Sequence, residues 1–405
     1  MSYNFKVSTN RPLLIFLLVG LMTIAYSSIG IYTPAMPAIG DYYGVSASAV
    51  QLTFTIYIIT FAFGQLFYGP FSDKYGRRPA IILGLFIYIL GSILAVVSHS
   101  IELLILSRGV QAFGGCCGPV VGRAILRDLF DRDDGAKILS YVAMLMGAAP
   151  AFAPVIGGYL QVSFGWSSIF ILLSAVGLVF IVLNLIFLDE TNLNKQIKSS
   201  YNLFYSIKIF LFFFKSPLYL SYTFVAAFAM AAVFVYASGA PLLLIELLNI
   251  SPDLYGWFAV IPTIFNLFGA YVTARIVKKL GGDNLIFAGA FIILFGGILM
   301  MAFAILFSLS VAVILIPMSI IMFGISMIYP SAAQGAVSLF SEQQAGSASS
   351  LNGFLHMFVA ALMVLTLSFF LDGTKWPVVN FIFISSLATF MIIVPIYIYV
   401  KKNKV

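Results

Sequence analysis

Charged side chains are scarce in this chain of 405 residues, of which only 9% are Asp, Glu, Lys or Arg. Soluble domains carry about a quarter. Hydrophobic residues make up 62% of the chain, and they gather in runs long enough to cross a lipid bilayer. The shortage of charge therefore excludes a soluble globular protein and predicts an integral membrane protein.

Cysteine and histidine occur only twice each. Cys116 and Cys117 are adjacent, so they cannot form a disulfide framework, and two histidines are too few for a metal-binding cluster. The sequence also lacks a phosphate-binding P-loop and a nucleophile paired with a base. We therefore expect no enzymatic activity, no bound metal and no cofactor.

The apolar runs are numerous enough for twelve membrane-spanning helices. Each span takes about 20 residues, so twelve spans occupy about 240 residues and leave only short connections. No separate soluble domain fits. The predicted spans are 13–32, 47–68, 79–97, 103–122, 136–160, 167–188, 217–243, 254–276, 285–307, 309–332, 345–371 and 378–400.

The widest polar gap follows the sixth span and predicts a division into two halves. Lysines alternate there with aromatic residues, which favours an amphipathic interfacial linker over an ordinary solvated connector. A weak internal repeat supports the division, because glycines of the first half recur 205 residues later: Gly64, Gly76 and Gly84 align with Gly269, Gly281 and Gly289. We therefore predict six-helix bundles at 1–188 and 217–405, joined by a linker at 189–216.

The cations predict the orientation in the membrane. If both termini are cytoplasmic, every Lys and Arg except Arg108 and Lys375 falls on the cytoplasmic side. The net charge of +7 is thus spread over short loops. Nucleic-acid binding would need those cations gathered on one water-exposed module, so we expect no nucleic-acid partner.

Four sequence motifs carry a family resemblance. Residues 69–78 read G-P-F-S-D-K-Y-G-R-R, and this stretch resembles the short loop between helices 2 and 3 of the major facilitator superfamily. The other three resemble the superfamily's helix 4 motif, its antiporter signature in helix 5 and a Bcr/CflA-type motif after helix 1. The stretch that resembles the helix 4 motif contains Arg108, Gln111, Arg123, Arg127 and Asp128. The antiporter signature contains Pro150, Pro154, Gly157 and Gly158, and the Bcr/CflA-type motif contains Tyr32, Pro34 and Pro37.

The resemblance implies an all-α membrane protein with twelve helices in two pseudo-symmetric six-helix bundles. It further implies a monomer in the lipid bilayer of an inner membrane. Such a protein would export drug-like or endogenous small molecules by alternating access, in exchange for protons.

The 69–78 motif predicts a cytoplasmic gate. Its glycines permit a tight turn, and Asp73 can pair with neighbouring cations or lie at a helix N-terminus. The resemblance implies that this network holds the outward-open state, whereas the alternative is that the cations only enforce topology. The gate candidates are Gly69, Asp73, Lys74, Gly76, Arg77, Arg78, Arg123, Arg127 and Asp128.

Arg108 is the only cation placed well inside a span. A charge at that depth is costly unless it faces a water-filled cavity or a partner. We expect it to face a cavity, along with Gln111 one turn deeper, rather than to extend back to the membrane surface. The resemblance implies a role in proton coupling. In helix 5, the prolines and paired glycines predict a bend at the interface of the halves, with a purely structural kink as the alternative.

One expected carboxylate is missing. The resemblance leads us to expect an acid in helix 1 at the position that Gly30 occupies in this chain. No acid is predicted in the middle of any span. The remaining proton-coupling candidates are Glu246 and His356, for which a loop acid and a packing histidine are the alternatives. An ion-uncoupled facilitator or importer of a small metabolite therefore stays open, as does a non-transporting membrane sensor on the same fold.

A substrate cavity is expected between the halves near the membrane midplane. Polar groups are rare within the spans, so each is a candidate, although any one of them can equally serve packing. A cavity with few charges suits amphipathic, weakly charged molecules. The candidates are Tyr26, Tyr57, Arg108, Gln111, Tyr236, Asn266, Asn352 and His356.

Overall fold

The structure, a computed structural model, describes residues 11–129, 152–192 and 210–403. Fourteen α-helices account for most of them. In chain order they are α1 Arg11–Gly30, α2 Met36–Tyr43, α3 Ala47–Tyr75, α4 Arg77–Val96, α5 Ile101–Gly115, α6 Cys117–Leu129, α7 Phe152–Phe164, α8 Ser167–Phe187, α9 Pro217–Pro241, α10 Pro252–Leu280, α11 Gly282–Leu306, α12 Val311–Ser338, α13 Glu342–Phe370 and α14 Trp376–Asn403.

The predicted all-α membrane fold is confirmed. Eleven spans within the described residues are long and apolar enough to cross a bilayer, and α7 is a shorter apolar helix. The predicted fifth span lies partly outside the described residues, as do Pro150 and residues 193–209 of the predicted linker. The predicted domain boundaries around that linker stay predictions.

Serine side chains fix where several helices begin. The hydroxyls of Ser46, Ser100 and Ser216 each accept a hydrogen bond from the backbone N–H three residues later, at 3.3–3.4 Å. These bonds satisfy amide groups that have no partner inside the helix. The apolar segments that follow then have no water to bond with, so their backbone stays helical across the bilayer.

Several helices extend past the predicted ends of their spans, among them α6 to Leu129 and α12 to Ser338, and the first two spans show the reason. The first continues past Tyr32 through a 3₁₀ turn, Thr33–Ala35, into α2. The second, α3, continues through the predicted loop as far as Tyr75. Hydropathy ends a span at the first polar residue, but a helix ends only where the backbone departs from helical geometry.

Gly76 alone makes the turn between α3 and α4. Its φ of 108° and ψ of 160° belong to a region that only glycine adopts readily. Gly281 makes the matching turn between α10 and α11, with φ 79° and ψ 157°. The repeat predicted from the glycines therefore corresponds to the same turn in both halves. Gly69, the other glycine of the 69–78 motif, lies inside α3 and makes no turn.

The helices of the two halves pack in matching patterns. In the first half α4 packs on α5 and α8, and α3 packs on α5; in the second, α11 packs on α12 and α14, and α10 packs on α12. Among the described residues, the halves meet where α3 runs along α13, with Phe63 placed 5.3 Å from Phe354 between ring centroids, and where α7 contacts the start of α10. Any cavity at the molecular centre therefore lies beside this α3–α13 seam.

Candidate functional site

A narrow cavity lies between the halves beside the α3–α13 seam. We call it the central cavity; it has room for about one water molecule. Six helices of the two halves contribute to its walls. The lining residues are Tyr26 from α1, Gln65 from α3, Arg123 from α6, Met230 and Phe234 from α9, Tyr329 from α12, and Gly353, His356 and Met357 from α13.

Several buried polar atoms at this cavity lack a hydrogen-bond partner among the described residues. They are the side-chain nitrogen of Gln65 and both ring nitrogens of His356. The amide nitrogen of Asn352, next to the lining residue Gly353, is also unpartnered. Leaving such groups buried costs about 1–3 kcal/mol each, so a ligand that bonded to them would be stabilised.

The cavity faces one end of the helix bundle, which we call the basic end because it carries the Gly76 turn and its flanking cations. Arg123 lies at the mouth, where its side chain is exposed and its Nε donates to the carbonyl of Pro119 at 2.9 Å. The hydroxyls of Tyr26 and Tyr329 lie within electrostatic reach of this guanidinium. A positive charge therefore stands at the entrance.

Three side-chain hydrogen bonds join the halves at the opposite end, which we call the far end. The Gln51 amide donates to the Ser238 hydroxyl at 2.8 Å, and the Tyr255 hydroxyl donates to Thr33 Oγ1 at 3.2 Å. The third bond links Trp257 Nε1 to the hydroxyl of Tyr159, at 3.3 Å. We call these bonds the far latch. They close the far end while the central cavity faces the basic end.

The helix 5 glycines lie at this closure. A side chain at Gly157 would collide with the carbonyl of Ile31, and one at Gly158 with the carbonyl of Pro252. The two glycines thus let α7 approach the end of α1 on one side and the start of α10 on the other. Pro154 lies in the same contact, where its carbonyl meets Gly256.

A charge cluster, which we call the Arg77 cluster, lies at the basic end. Arg77 Nη1 donates to Asp73 Oδ1 at 2.5 Å and to the Ser72 hydroxyl at 2.8 Å, and its Nε donates to Asp128 Oδ2 at 2.8 Å. The side chain of Arg77 is 5% exposed, compared with 19% for Asp128 and 51% for Asp73. Asp128 is therefore the better shielded partner.

Glu190 completes the Arg77 cluster, and its role was not foreseen from the sequence. Its carboxylate accepts the backbone N–H groups of Arg77 at 2.9 Å and Arg78 at 3.3 Å. A carboxylate at this position satisfies the free amides and the positive end of the α4 dipole. The sequence shows Glu190 in a Leu-Asp-Glu-Thr stretch directly after the sixth predicted span, but it does not show which groups the carboxylate contacts.

The Arg77 cluster joins α3, α4, α6 and the chain after α8, all within the first half. The guanidinium of Arg78 also donates to the carbonyl of Leu185, and Lys74 Nζ lies 5.0 Å from the ring of Tyr75. The side chain of Arg127 lies outside the described residues. None of these contacts crosses to the second half, as expected for a state that faces the basic end.

Arg108 lies elsewhere than expected. It is 0% exposed and packs inside the first half, so it neither faces the central cavity nor reaches the membrane surface. Its guanidinium carbon lies 4.5 Å from the Tyr32 ring centroid and 4.1 Å from that of Tyr57. The aromatic faces stabilise the cation. The sequence showed the depth of this charge but not that α1 and α3 would bring two tyrosines against it.

Polar contacts complete the surroundings of Arg108. Its Nη1 donates to Gln111 Oε1, and Gln111 Nε2 donates to the Ser92 hydroxyl at 2.8 Å. Its Nη2 lies 3.5 Å from the carbonyl of Ser28, while Nε has no partner in the described part of the chain. No ion pair reaches it among the described residues. Gln111 and Tyr57 are thus structural neighbours of a buried charge rather than cavity walls.

The remaining substrate candidates divide. Tyr26 and His356 line the central cavity, and Asn352 adjoins it. Tyr236 is buried with an unpartnered hydroxyl, and the amide of Asn266 donates to the carbonyl of Met322 at 3.1 Å, so neither is a wall of the cavity. Gln65 and Tyr329 were missed, because nothing in a single sequence ranks one polar residue above another.

Glu246 ends a π-helical turn, Leu242–Glu246, that follows α9. It lines a second cavity of about 130 Å³ at the far end, where Asp41 from α2 and the Gln51–Ser238 pair of the far latch are also found. Every described Asp and Glu lies in the terminal turn of its helix or outside the helices. As the sequence indicates, none of the described acids therefore lies in the middle of a span, where one could face Gly30.

The sequence profile of the Major Facilitator Superfamily matches residues 18–364. The chain belongs to this superfamily. It is therefore a membrane transporter and not an enzyme. The bicyclomycin resistance protein homolog of Haemophilus influenzae is 30% identical over 341 residues, which cover 83% of each chain.

Two further comparisons agree with this assignment. The multidrug resistance protein D of Escherichia coli is 28% identical over 348 residues, or 84% of this chain and 85% of that protein. Among solved structures, a D-xylose–proton symporter superposes with a TM-score of 0.75 at 15% identity, covering 96% of both chains. At that identity the likeness concerns the fold alone.

Proposed function

We propose that this transporter exports drug-like or endogenous small molecules from the cytoplasm by alternating access, and that it acts as a monomer in a bacterial-type inner membrane. One observation carries the proposal: a cavity with unpartnered polar atoms lies between the halves, while three side-chain hydrogen bonds join the halves at the far end. Relatives named for resistance to bicyclomycin and to multiple drugs support export as the direction.

The basic end is the cytoplasmic one. Lys74, Arg78, Arg275, Lys278 and Lys279 lie at the helix ends there, and short cytoplasmic loops carry an excess of Lys and Arg. Both termini then lie on the cytoplasmic side. The central cavity in this state thus faces the cytoplasm, from which an exporter must load.

The Arg77 cluster is the cytoplasmic gate on this proposal. Arg77 and its acidic partners fix the ends of four elements of the first half into one surface. Closing the cytoplasmic side would press that surface against the second half. The existing contacts set its shape in advance, so closure requires little rearrangement within the first half.

Proton exchange for substrate is the proposed coupling, with His356 and Glu246 as carriers. His356 lies where substrate would bind, and Glu246 lies beside the far latch. Substrate and proton could then compete at His356, while the charge on Glu246 changes with access to the far side. Arg108 has no acidic partner within the described part of the chain, so its part is to hold α1, α3 and α5 together.

An ion-uncoupled facilitator is the second candidate, because the described spans hold no carboxylate away from their ends. Transporters usually place a proton carrier deep in the membrane. This chain offers only one buried imidazole there. A facilitator would carry substrate only down its gradient.

The test uses the purified full chain in liposomes that contain a pH-sensitive dye, with bicyclomycin added outside. Exchange predicts that inward substrate flux drives protons out and makes the interior alkaline. Substitutions His356→Gln and Glu246→Gln should abolish this signal while counterflow of bicyclomycin remains.

Flux without any pH change would make the protein a facilitator. A pH signal that persists in both variants would show that neither His356 nor Glu246 carries the proton. Absence of bicyclomycin flux in liposomes, together with no protection of an exporter-deficient strain in a screen of small-molecule drugs, would contradict export altogether.

A further inference from the structure

We infer that the central cavity selects neutral or anionic molecules rich in hydrogen-bond acceptors, and excludes permanent cations. This rests on the proposed function only in taking the central cavity as the substrate site. Two independent properties of the cavity lead to it, namely the kind of hydrogen-bonding group left free and the sign of the fixed charge.

The free polar groups are mainly donors. Gln65 Nε2 carries two hydrogens, and one ring nitrogen of His356 carries another in the neutral imidazole. Asn352 Nδ2 adds a further unpartnered amide beside the lining residue Gly353. A ligand must offer acceptors such as carbonyl, hydroxyl, nitro or carboxylate oxygens to satisfy them. An alkylammonium or phosphonium ion offers none.

The fixed charge is positive. Arg123 lies at the mouth, and Arg108 is buried in the first half without an ion pair among the described residues. Among the described residues, no carboxylate belongs to the cavity wall. Away from water, Coulomb interactions are much stronger than in bulk solvent, so this field opposes a cation and favours an anion.

Aromatic walls could reverse the preference, because aromatic faces attract cations. Phe234 is only 6% exposed, and the two tyrosines of the cavity are already engaged by other rings. Tyr26 packs edge-on against Phe61 at 5.4 Å, and Tyr329 lies 5.4 Å from the ring of His356. Their free surface therefore serves as an apolar wall for the body of the ligand.

The experiment compares tetraphenylphosphonium with tetraphenylborate, two ions of the same shape and opposite charge. Both are larger than the cavity in this state, so either ion binds only after the halves have moved apart around it. Binding of each to the purified full chain in detergent is measured by equilibrium dialysis, beside neutral bicyclomycin. Because micelles take up the two ions unequally, the quantity compared is the change in their affinity ratio between variants.

Two variants alter the charge of the cavity. Arg123→Gln should reduce the preference for borate over phosphonium about tenfold, as expected for one charge at cavity distance. Gln65→Glu adds a carboxylate with little change in shape and should raise phosphonium affinity by a similar factor. The control is Arg275→Gln, which removes an exposed cation that lies on the ring of Tyr271 outside the cavity.

Strong phosphonium binding by the native chain would overturn the inference. So would a ratio that shifts equally in Arg123→Gln and Arg275→Gln, or a Gln65→Glu variant that gains no phosphonium binding. Thermal unfolding of each variant checks that it is folded. Bicyclomycin export by cells is measured separately, so a failure of export and a failure of charge selection give different results.

Discussion

The two acids of the Arg77 cluster should differ in their effect on stability and on transport. Asp128→Asn and Asp73→Asn each remove one carboxylate from a guanidinium that is 5% exposed. Asp128 is 19% exposed and Asp73 is 51% exposed. The first substitution therefore affects a shielded ion pair, and the second affects a pair that water already screens.

The magnitudes follow from this difference. An exposed ion pair contributes about 0–1 kcal/mol, which sets the expected loss for Asp73→Asn. Breaking a buried pair costs about 3–5 kcal/mol when the remaining charge has no other partner. Arg77 keeps Ser72 and Asp73, and asparagine retains an oxygen that can accept from Nε. We therefore expect a loss of about 1.5–3 kcal/mol for Asp128→Asn.

The chain supplies its own reporter for the assay. Cys116 and Cys117 are the only cysteines and both are buried, so a thiol-reactive fluorogenic dye reports unfolding of the purified protein. Denaturant titrations in detergent then compare the variants, with the loop substitution Asp372→Asn as the control. Equal losses for the two acids, or a larger loss for Asp73→Asn, would refute the reasoning from burial.

Transport measured on the same variants separates stability from gating. Asp73→Asn should reduce bicyclomycin export strongly at nearly native stability, because the acid is part of the proposed gate and the loop keeps its cations. Normal export by this variant would mean that the motif serves topology alone.

Three further predictions concern other parts of the structure. Gly76→Ala and Gly281→Ala should each destabilise the protein by about 1–3 kcal/mol in the same thiol assay, because alanine is strained at those backbone angles; a neutral result would contradict the assigned turns. A cysteine at position 108, in a chain lacking the native cysteines, should resist membrane-impermeant thiol reagents from both sides, whereas labelling in any state would place Arg108 at a water-filled surface. Gln51→Ala should weaken the far latch, and a cysteine at Leu242, which lines the second cavity beside this bond, would then label faster from the periplasmic side than in a chain with Gln51 intact; an unchanged rate would remove this bond from the closure.

The sequence predicted the fold class and the position of both helix-pair turns. Hydropathy locates a span because every residue in the bilayer core contributes to it. Gly76 and Gly281 were found because their backbone angles restrict the residue type, and so a repeat of the residue marks a repeat of the turn. The continuation of α3 to Tyr75 was missed, since polar residues end an apolar run without ending a helix.

Contacts between distant segments were harder to predict. The Arg77 cluster was foreseen as far as Asp73 and Asp128, which were both gate candidates, but Glu190 comes from the chain after α8. The surroundings of Arg108 depend on how α1 and α3 pack against α5, and the spacing of residues within α5 does not predict that packing. Gln65 became a candidate only when its amide proved to be buried without a partner.

The single-residue turns at Gly76 and Gly281 have a mechanical consequence. A helix pair joined by one residue has no slack, so α3 cannot tilt without carrying α4, nor α10 without α11. The Arg77 cluster braces the first of these pairs to α6 as well. Because α3 also lines the seam with α13, each half should rock as a rigid body, with sliding at that seam and at the contact of α7 with α10.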